Sequence, residues 1–266
     1  MLDLQHGGRS CARQLDEHSS TGGPCQFHRC TNLSGTTMNQ ASQRERVIVF
    51  DVNETLLDID ILKPFFERTF GDARVMREWF SELILYSQAL TLSGSYTEFG
   101  HLAVAVLNMV AEIRGVSLQA SDVDDFKHHM RQLPGHEDAA PALHMLREAG
   151  FRMVTLTNSS PEAGRSVLER AGLAHYFERQ FSVDGVKRFK PAADTYRSVA
   201  LALGAETSAL RLVAAHTWDT LGATAAGWKT ALVQRPGNAP LLIGEQPDII
   251  ENDLLAVARR IINTDA

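Results

Sequence analysis

At 266 residues, with 44% apolar and 22% charged side chains, the chain is globular in composition and long enough to bury a sizeable core. That excludes wholesale disorder and coiled coil. The net charge of −6 carries no dense Lys/Arg block, so the basic stripe of a nucleic-acid-binding protein is missing, and apolar runs such as residues 102–110 fall far below the roughly 20 residues of a membrane span.

Residues 1–44 are rich in Gly, Ser, Thr, Gln and Asn and keep no hydrophobic period. Such a segment buries too little surface to offset its ordering entropy, and we expect a mobile tail without chemistry. It has no basic stretch followed by an apolar one, so no secretory signal is expected and the cytoplasm is the default location. All three cysteines, Cys11, Cys25 and Cys30, lie here, so no disulfide framework is expected downstream. Cys25, His28 and Cys30 do not have zinc-ligand spacing, and no metal site is expected.

Order begins at Arg46. Val47-Ile48-Val49-Phe50 is a continuous β-branched and aromatic run ending at Asp51, the pattern of a strand buried on both faces. From Ile59 to about Leu133 the periodicity is helical, with pieces at 72–90 and 98–113. Strand-like runs then recur at 152–157, 181–183, 211–215 and 229–233. Helical stretches separate them at 161–171, 192–203 and 221–226, and 249–262 reads as a closing amphipathic helix. Strands alternating with helices of this length give a Rossmann-like, doubly wound parallel α/β sheet. Its core spans residues 45–58 and 134–266, and residues 59–133 form a helical cap inserted after the first strand. Strand C-terminal ends share one rim, where ligands bind, and a cap beside it can exclude water.

Four segments on that rim carry chemistry. In Val47–Asp58 the strand ends on Asp51, with Thr55 four residues on. A carboxylate fixed and partly desolvated on a strand end is an effective nucleophile, although an aspartate at a strand exit also commonly caps the next turn. Val154–Asn158 ends in the polar Thr157 and Asn158, followed by Ser160, an N-cap for a helix opening on Pro161. Lys190-Pro191 precedes a helix containing Tyr196, and a fixed cation offsets acids that face one pocket. Leu212–Asp219 ends a strand with His216, Trp218 and Asp219. An indole at a strand end is more often packing than recognition.

These four segments, in this order, resemble the motifs of the haloacid dehalogenase superfamily over nearly all of residues 45–240. The resemblance implies Asp51 as nucleophile, Thr157 and its polar neighbours as holders of an anionic substrate, Lys190 as the balancing cation and Asp219 as the fourth-motif acid. In the superfamily's phosphatases the residue two after the nucleophile is a second Asp, which protonates the leaving alcohol. Here it is Asn53, which can neither donate that proton nor act as a base. A halide needs no protonation to leave.

The chain is also similar to the type II, or L-2-haloacid, dehalogenases in its helical cap. That resemblance implies Arg77 as the residue receiving the halide and Tyr96 as an aromatic of the halide pocket. It also carries over Tyr196 six residues after Lys190 and Trp218 just before Asp219. Four positions depart from the family pattern. Ala214 replaces a serine that helps place the hydrolytic water, His216 an asparagine, Asn53 an aromatic and Glu54 a glycine. His216 is either a hydrogen-bonded strand-end histidine or a group that orients or deprotonates water.

The expected reaction is hydrolysis of small 2-haloalkanoic acids to 2-hydroxy acids through an Asp51 ester. A haloacid is the expected small-molecule partner. Thr157 holds its carboxylate, Arg77 and Asn158 receive the halide, and Asp219 with His216 positions water. No metal or organic cofactor is implied, and the family suggests a homodimer. The alternative is a magnesium-dependent phosphatase acting on a small phosphorylated metabolite, and a non-enzymatic binding module would bind tightly without turnover.

Overall fold

The structure, a computed structural model, describes residues 46–265; the expected N-terminal tail and the three cysteines lie outside that range. Six strands form one parallel sheet: β1 (Val47–Phe50), β2 (Arg152–Thr157), β3 (Arg179–Ser182), β4 (Leu210–Ala214), β5 (Lys229–Val233) and β6 (Ile249–Glu251). Their spatial order is β3-β2-β1-β4-β5-β6. This is the doubly wound order, and it reverses direction between β1 and β4, the crevice where such sheets bind ligands.

The continuous apolar run of β1 is explained by burial on both sides. Ile48 and Phe50 enter one apolar cluster, while Val47 and Val49 enter another on the opposite face. On the second face pack Tyr196, Val199 and Ala200 of α7 (Ala193–Leu203) and Ala223 of α8 (Thr217–Ala225). The first face is covered by α5 (Ala139–Glu148), α6 (Pro161–Arg170) and α9 (Leu254–Asp265).

The same cluster continues into the helical block that follows β1: α1 (Lys63–Phe70), α2 (Val75–Leu92), α3 (Phe99–Ile113) and α4 (Ala120–Met130). Its centre is aromatic. Trp79 stands 5.6 Å from Phe66 and 5.1 Å from Phe126, and its indole N–H donates to the Ala103 carbonyl at 3.0 Å, so the buried ring is also satisfied as a donor. No helix among the described residues is long and apolar enough to cross a membrane.

Three expected elements differ. The segment read as one helix from Ile249 begins as an edge strand, β6, and α9 starts only at Leu254, after Asp253 caps it by accepting the Ala256 N–H at 2.7 Å. The third strand ends at Ser182, because the Ser182 hydroxyl accepts the Asp184 N–H at 3.1 Å and turns the chain into a 3-10 turn at Val183. Helix α8 starts at Thr217, a full turn before the expected residue 221. Ser160 caps α6 as expected, accepting the Ala163 N–H.

Candidate active site

The reversal of strand order places the ends of β1, β2 and β4 side by side. Asp51, one residue beyond β1, is buried, and its N–H donates to Val213 of β4 at 3.0 Å. Its two carboxylate oxygens have separate partners. Thr55 Oγ1 donates to Oδ2 at 2.7 Å and Lys190 Nζ to Oδ1 at 2.7 Å. The Thr55 hydroxyl is itself fixed by accepting the Ala215 N–H at 2.8 Å. A carboxylate held through both oxygens is fixed in orientation.

Lys190 is 1% exposed and fully used as a donor. Besides Asp51 it gives hydrogen bonds to Asp219 Oδ2 at 2.7 Å and to the Leu156 carbonyl at 3.0 Å. Its backbone N–H donates to Asn158 Oδ1 at 3.0 Å, which ties the end of β2 to the lysine. Asp219's other oxygen accepts the Tyr196 hydroxyl at 2.6 Å. The electrostatics follow from this arrangement. Burial raises the Asp51 carboxyl, but the Lys190 charge and the neighbouring His216 outweigh it, and the group is held well below the usual carboxylate range. Burial and the charge of Asp51 push Asp219 up against the opposing effect of Lys190. Burial and the Asp219 charge keep Tyr196 a protonated donor.

The loop after Asp51 is held from several directions. Arg235 donates to the Thr55 carbonyl at 2.9 Å while paired with Asp138 at 2.8 Å, and His136 Nε2 lies 3.1 Å from the Glu54 carbonyl. Glu54 has φ 66°, a left-handed conformation uncommon for a residue with a side chain. Its buried carboxylate is paired with Arg77 of α2 and lies 2.7 Å from His216 Nε2. Burial raises Glu54, but His216 and Arg77 together bring it below its ordinary value.

His216 is buried between two rings, with centroids 5.0 Å from Trp218 and 5.5 Å from Phe80. Burial disfavours its charged form, yet Asp51 and Glu54 more than compensate and push it up to about 9.

Beside Asp51 lies a cavity of about 10 Å³, room for about one water, lined among others by Asn53, Thr157, Asn158, His216 and Trp218. Phe80, Ile84 and Phe99 of the helical block close it. Asn53 and Phe99 also line a larger cleft of about 640 Å³, so these two residues stand between the inner cavity and the outer one.

Of the residues singled out from the sequence, Asp51, Thr55, Lys190, Asp219 and Tyr196 form one hydrogen-bonded set, and Thr157, Asn158, His216 and Trp218 share the inner cavity with Asp51. Thr157 Oγ1 accepts the Ser159 N–H at 3.1 Å. Arg77 is placed beyond Glu54, its guanidinium also donating to the Pro236 carbonyl at 2.9 Å. Tyr96 stacks on Phe189 at 5.0 Å and donates to Asp184, outside the lining of the inner cavity. Sequence reasoning missed Arg235 altogether and noticed Glu54 only as a departure from glycine. The glycine at that position in the resembling family was the available signal, since it marks a left-handed backbone.

Residues 45–227 match the family model of the haloacid dehalogenase-like hydrolases. The chain belongs to that family. It is 28% identical over 212 residues to an (S)-2-haloacid dehalogenase of Pseudomonas sp. strain YL, covering 79% of this chain and 91% of that protein. It is 25% identical over 205 residues to haloacetate dehalogenase H-2 of Moraxella sp. strain B, covering 76% and 91%. Among solved structures, the L-2-haloacid dehalogenase of Xanthobacter autotrophicus shares the fold, with TM-score 0.76, 24% identity, and 83% of this chain and 99% of that one covered.

Proposed function

We propose that this hydrolase cleaves the carbon–halogen bond of small 2-haloalkanoic acids, giving 2-hydroxy acids through an ester on Asp51. The observation that carries the reading is the Asp51 carboxylate, fixed by Lys190 and Thr55, in a site where Asn53 stands in place of a leaving-group acid. Several similar relatives are themselves named (S)-2-haloacid dehalogenases.

In this reading the substrate carboxylate binds at Thr157 and the backbone amides that follow Asp51. One Asp51 oxygen attacks the halogen-bearing carbon in line, with inversion, and the halide departs with the bonding electrons. Lys190 keeps the carboxylate ionised and Thr55 holds its orientation. Asn158 accepts the Lys190 N–H through its Oδ1, which leaves its amide nitrogen as the donor for the halide. Arg77 is engaged by Glu54 and Pro236, so it contributes positive charge from behind that pair. The apolar walls of Phe80, Ile84, Phe99 and Trp218 exclude water from the attack. Helices α1 to α4 act as the cap over the rim. Water then attacks the Asp51 carbonyl carbon and releases the hydroxy acid. Asp219 supports this step by holding Lys190. The protein acts in the cytoplasm and as a homodimer in the same reading, and sedimentation would test the latter.

The experiment is halide release from chloroacetate, fluoroacetate and both 2-chloropropionate enantiomers, with and without EDTA, beside phosphate release from p-nitrophenyl phosphate. EDTA-resistant halide release supports the proposal. EDTA-sensitive phosphate release without halide would replace it with the magnesium-dependent phosphatase.

A further inference from the structure

We propose that Glu54 and His216 form a carboxylate–imidazole pair that deprotonates the water hydrolysing the Asp51 ester, and that the pair becomes a base only once Asp51 has been alkylated. This rests on the dehalogenase reading above.

The hydrolytic step needs a proton acceptor near the Asp51 carbonyl carbon. Among the described residues lining the inner cavity, only Asp51 itself and His216 carry a group that accepts a proton near neutral pH. Asp219 has one oxygen on Lys190 and the other on Tyr196, and Lys190 has no lone pair to offer. His216 is arranged for the task. Its Nε2 is 2.7 Å from Glu54 Oε2, while its buried Nδ1 has no hydrogen-bond partner among the described residues and points at the nucleophile, 3.6 Å from Asp51 Oδ2. That separation is too long for a hydrogen bond and keeps Nδ1 free to accept a proton from a water approaching the carboxyl group. The cavity beside both groups has room for about one water. Phe80 and Trp218 stack on the two faces of the imidazole, which fixes its plane. Glu54 is a positioning residue, fixing which nitrogen faces Asp51. It keeps that place despite a left-handed backbone that residues with a side chain rarely adopt.

The order of events follows from the charges around the ring. In the resting enzyme the imidazole lies between two carboxylates, Asp51 and Glu54, with Lys190 beyond the first and Arg77 beyond the second. Two adjacent negative charges hold it as imidazolium against burial. When Asp51 attacks carbon, the new C–O bond forms, the carbon–halogen bond breaks with its electrons leaving on the halide, and the Asp51 charge disappears. The imidazolium, now buried beside one carboxylate that is itself shared with Arg77, gives its proton to solvent. Neutral Nδ1 then takes one proton from water as the water oxygen adds to the Asp51 carbonyl carbon. Collapse breaks the ester bond, and the departing alkoxide takes the second water proton. Asp51 is again a carboxylate and His216 again an imidazolium. One halide, one proton and one hydroxy acid have been released, and the proton left in the first step.

Wild type, Glu54→Gln and His216→Asn are each mixed with chloroacetate in weak buffer at pH 7. Halide, protons and the mass of the Asp51 peptide are followed through the first turnover. We expect both variants to release about one halide per site and to accumulate the ester, with hydrolysis slowed about 100-fold or more. The halide burst of wild type should bring a proton with it, because its imidazole starts between two carboxylates, and that of His216→Asn should not. Ester hydrolysis at the wild-type rate in either variant overturns the proposal. So does a proton burst from His216→Asn, or loss of the halide burst from both variants while wild type retains it. Absence of halide from wild type overturns the dehalogenase reading instead.

Discussion

Replacing Lys190 by methionine removes the one cation that bridges two buried carboxylates. Each carboxylate takes a 2.7 Å hydrogen bond from Nζ, which brings Asp51 Oδ1 and Asp219 Oδ2 into close range. At about 5 Å and an effective dielectric near 20, two negative charges repel by about 3 kcal/mol, or about two pKa units. Burial acts in the same direction, and both carboxylates are buried. With the lysine present, Asp51 is held well below the usual carboxylate range. Without it, the pair shares a proton, and the pH above which Asp51 is an ionised nucleophile moves upward, opposed by the neighbouring His216. The assay is first-turnover halide release between pH 4 and 9. Wild type should show no acid limb from Asp51 in that range. Lys190→Met should have a lower plateau and an acid limb displaced upward by about two units or more. A folded variant with the wild-type pH profile would refute the claim that Lys190 keeps the nucleophile ionised.

Two further outcomes test other parts of the architecture. His216 is raised from 6.5 to about 9, so its contribution to stability is complete below pH 6.5 and lost as pH rises through 9. A shift of that size is worth about 3 kcal/mol. Urea unfolding at pH 6.5 and 9.5 should register the loss in wild type and much less of it in His216→Asn. Equal losses in the two proteins would contradict the assignment. Gly222 lies inside α8, where helix propensity alone favours alanine by about 1 kcal/mol. A Cβ there would stand 2.5 Å from Pro191 Cβ and 2.7 Å from the Tyr196 hydroxyl, so Gly222→Ala should instead destabilise by about 1–3 kcal/mol and weaken the Tyr196–Asp219 contact. A raised melting temperature with full activity would contradict that packing.

The sheet was legible in the sequence wherever burial was two-sided. Val47–Phe50 and Lys229–Val233 have the expected bounds because a central parallel strand is apolar at every position. The errors fall where local hydrogen bonds compete with periodicity. Asp253 opens a helix and the Ser182 hydroxyl closes a strand at points where hydrophobicity alone would run on. The first turn of α8 was hidden because the stretch from Leu212 to Asp219 reads as the end of a strand, whereas β4 stops at Ala214 and the helix starts at Thr217. In the site, each motif residue was visible singly, since each sits beside a strand end. Their mutual contacts were not. Lys190 meets Asp51 across 139 positions of sequence and His216 meets Glu54 across 162, and both meetings depend on strand order. A buried glutamate where a glycine is usual reads as a defect until the histidine opposite is known.

The most direct test of Asp51 as a nucleophile on carbon is a single turnover in heavy-oxygen water with enzyme in excess over chloroacetate. The site's geometry predicts that the label enters the Asp51 side chain, located by mass spectrometry of its peptide, while the first glycolate formed carries none. Label in that first glycolate, with an unlabelled Asp51, would mean that water attacks the substrate directly and would contradict the ester route.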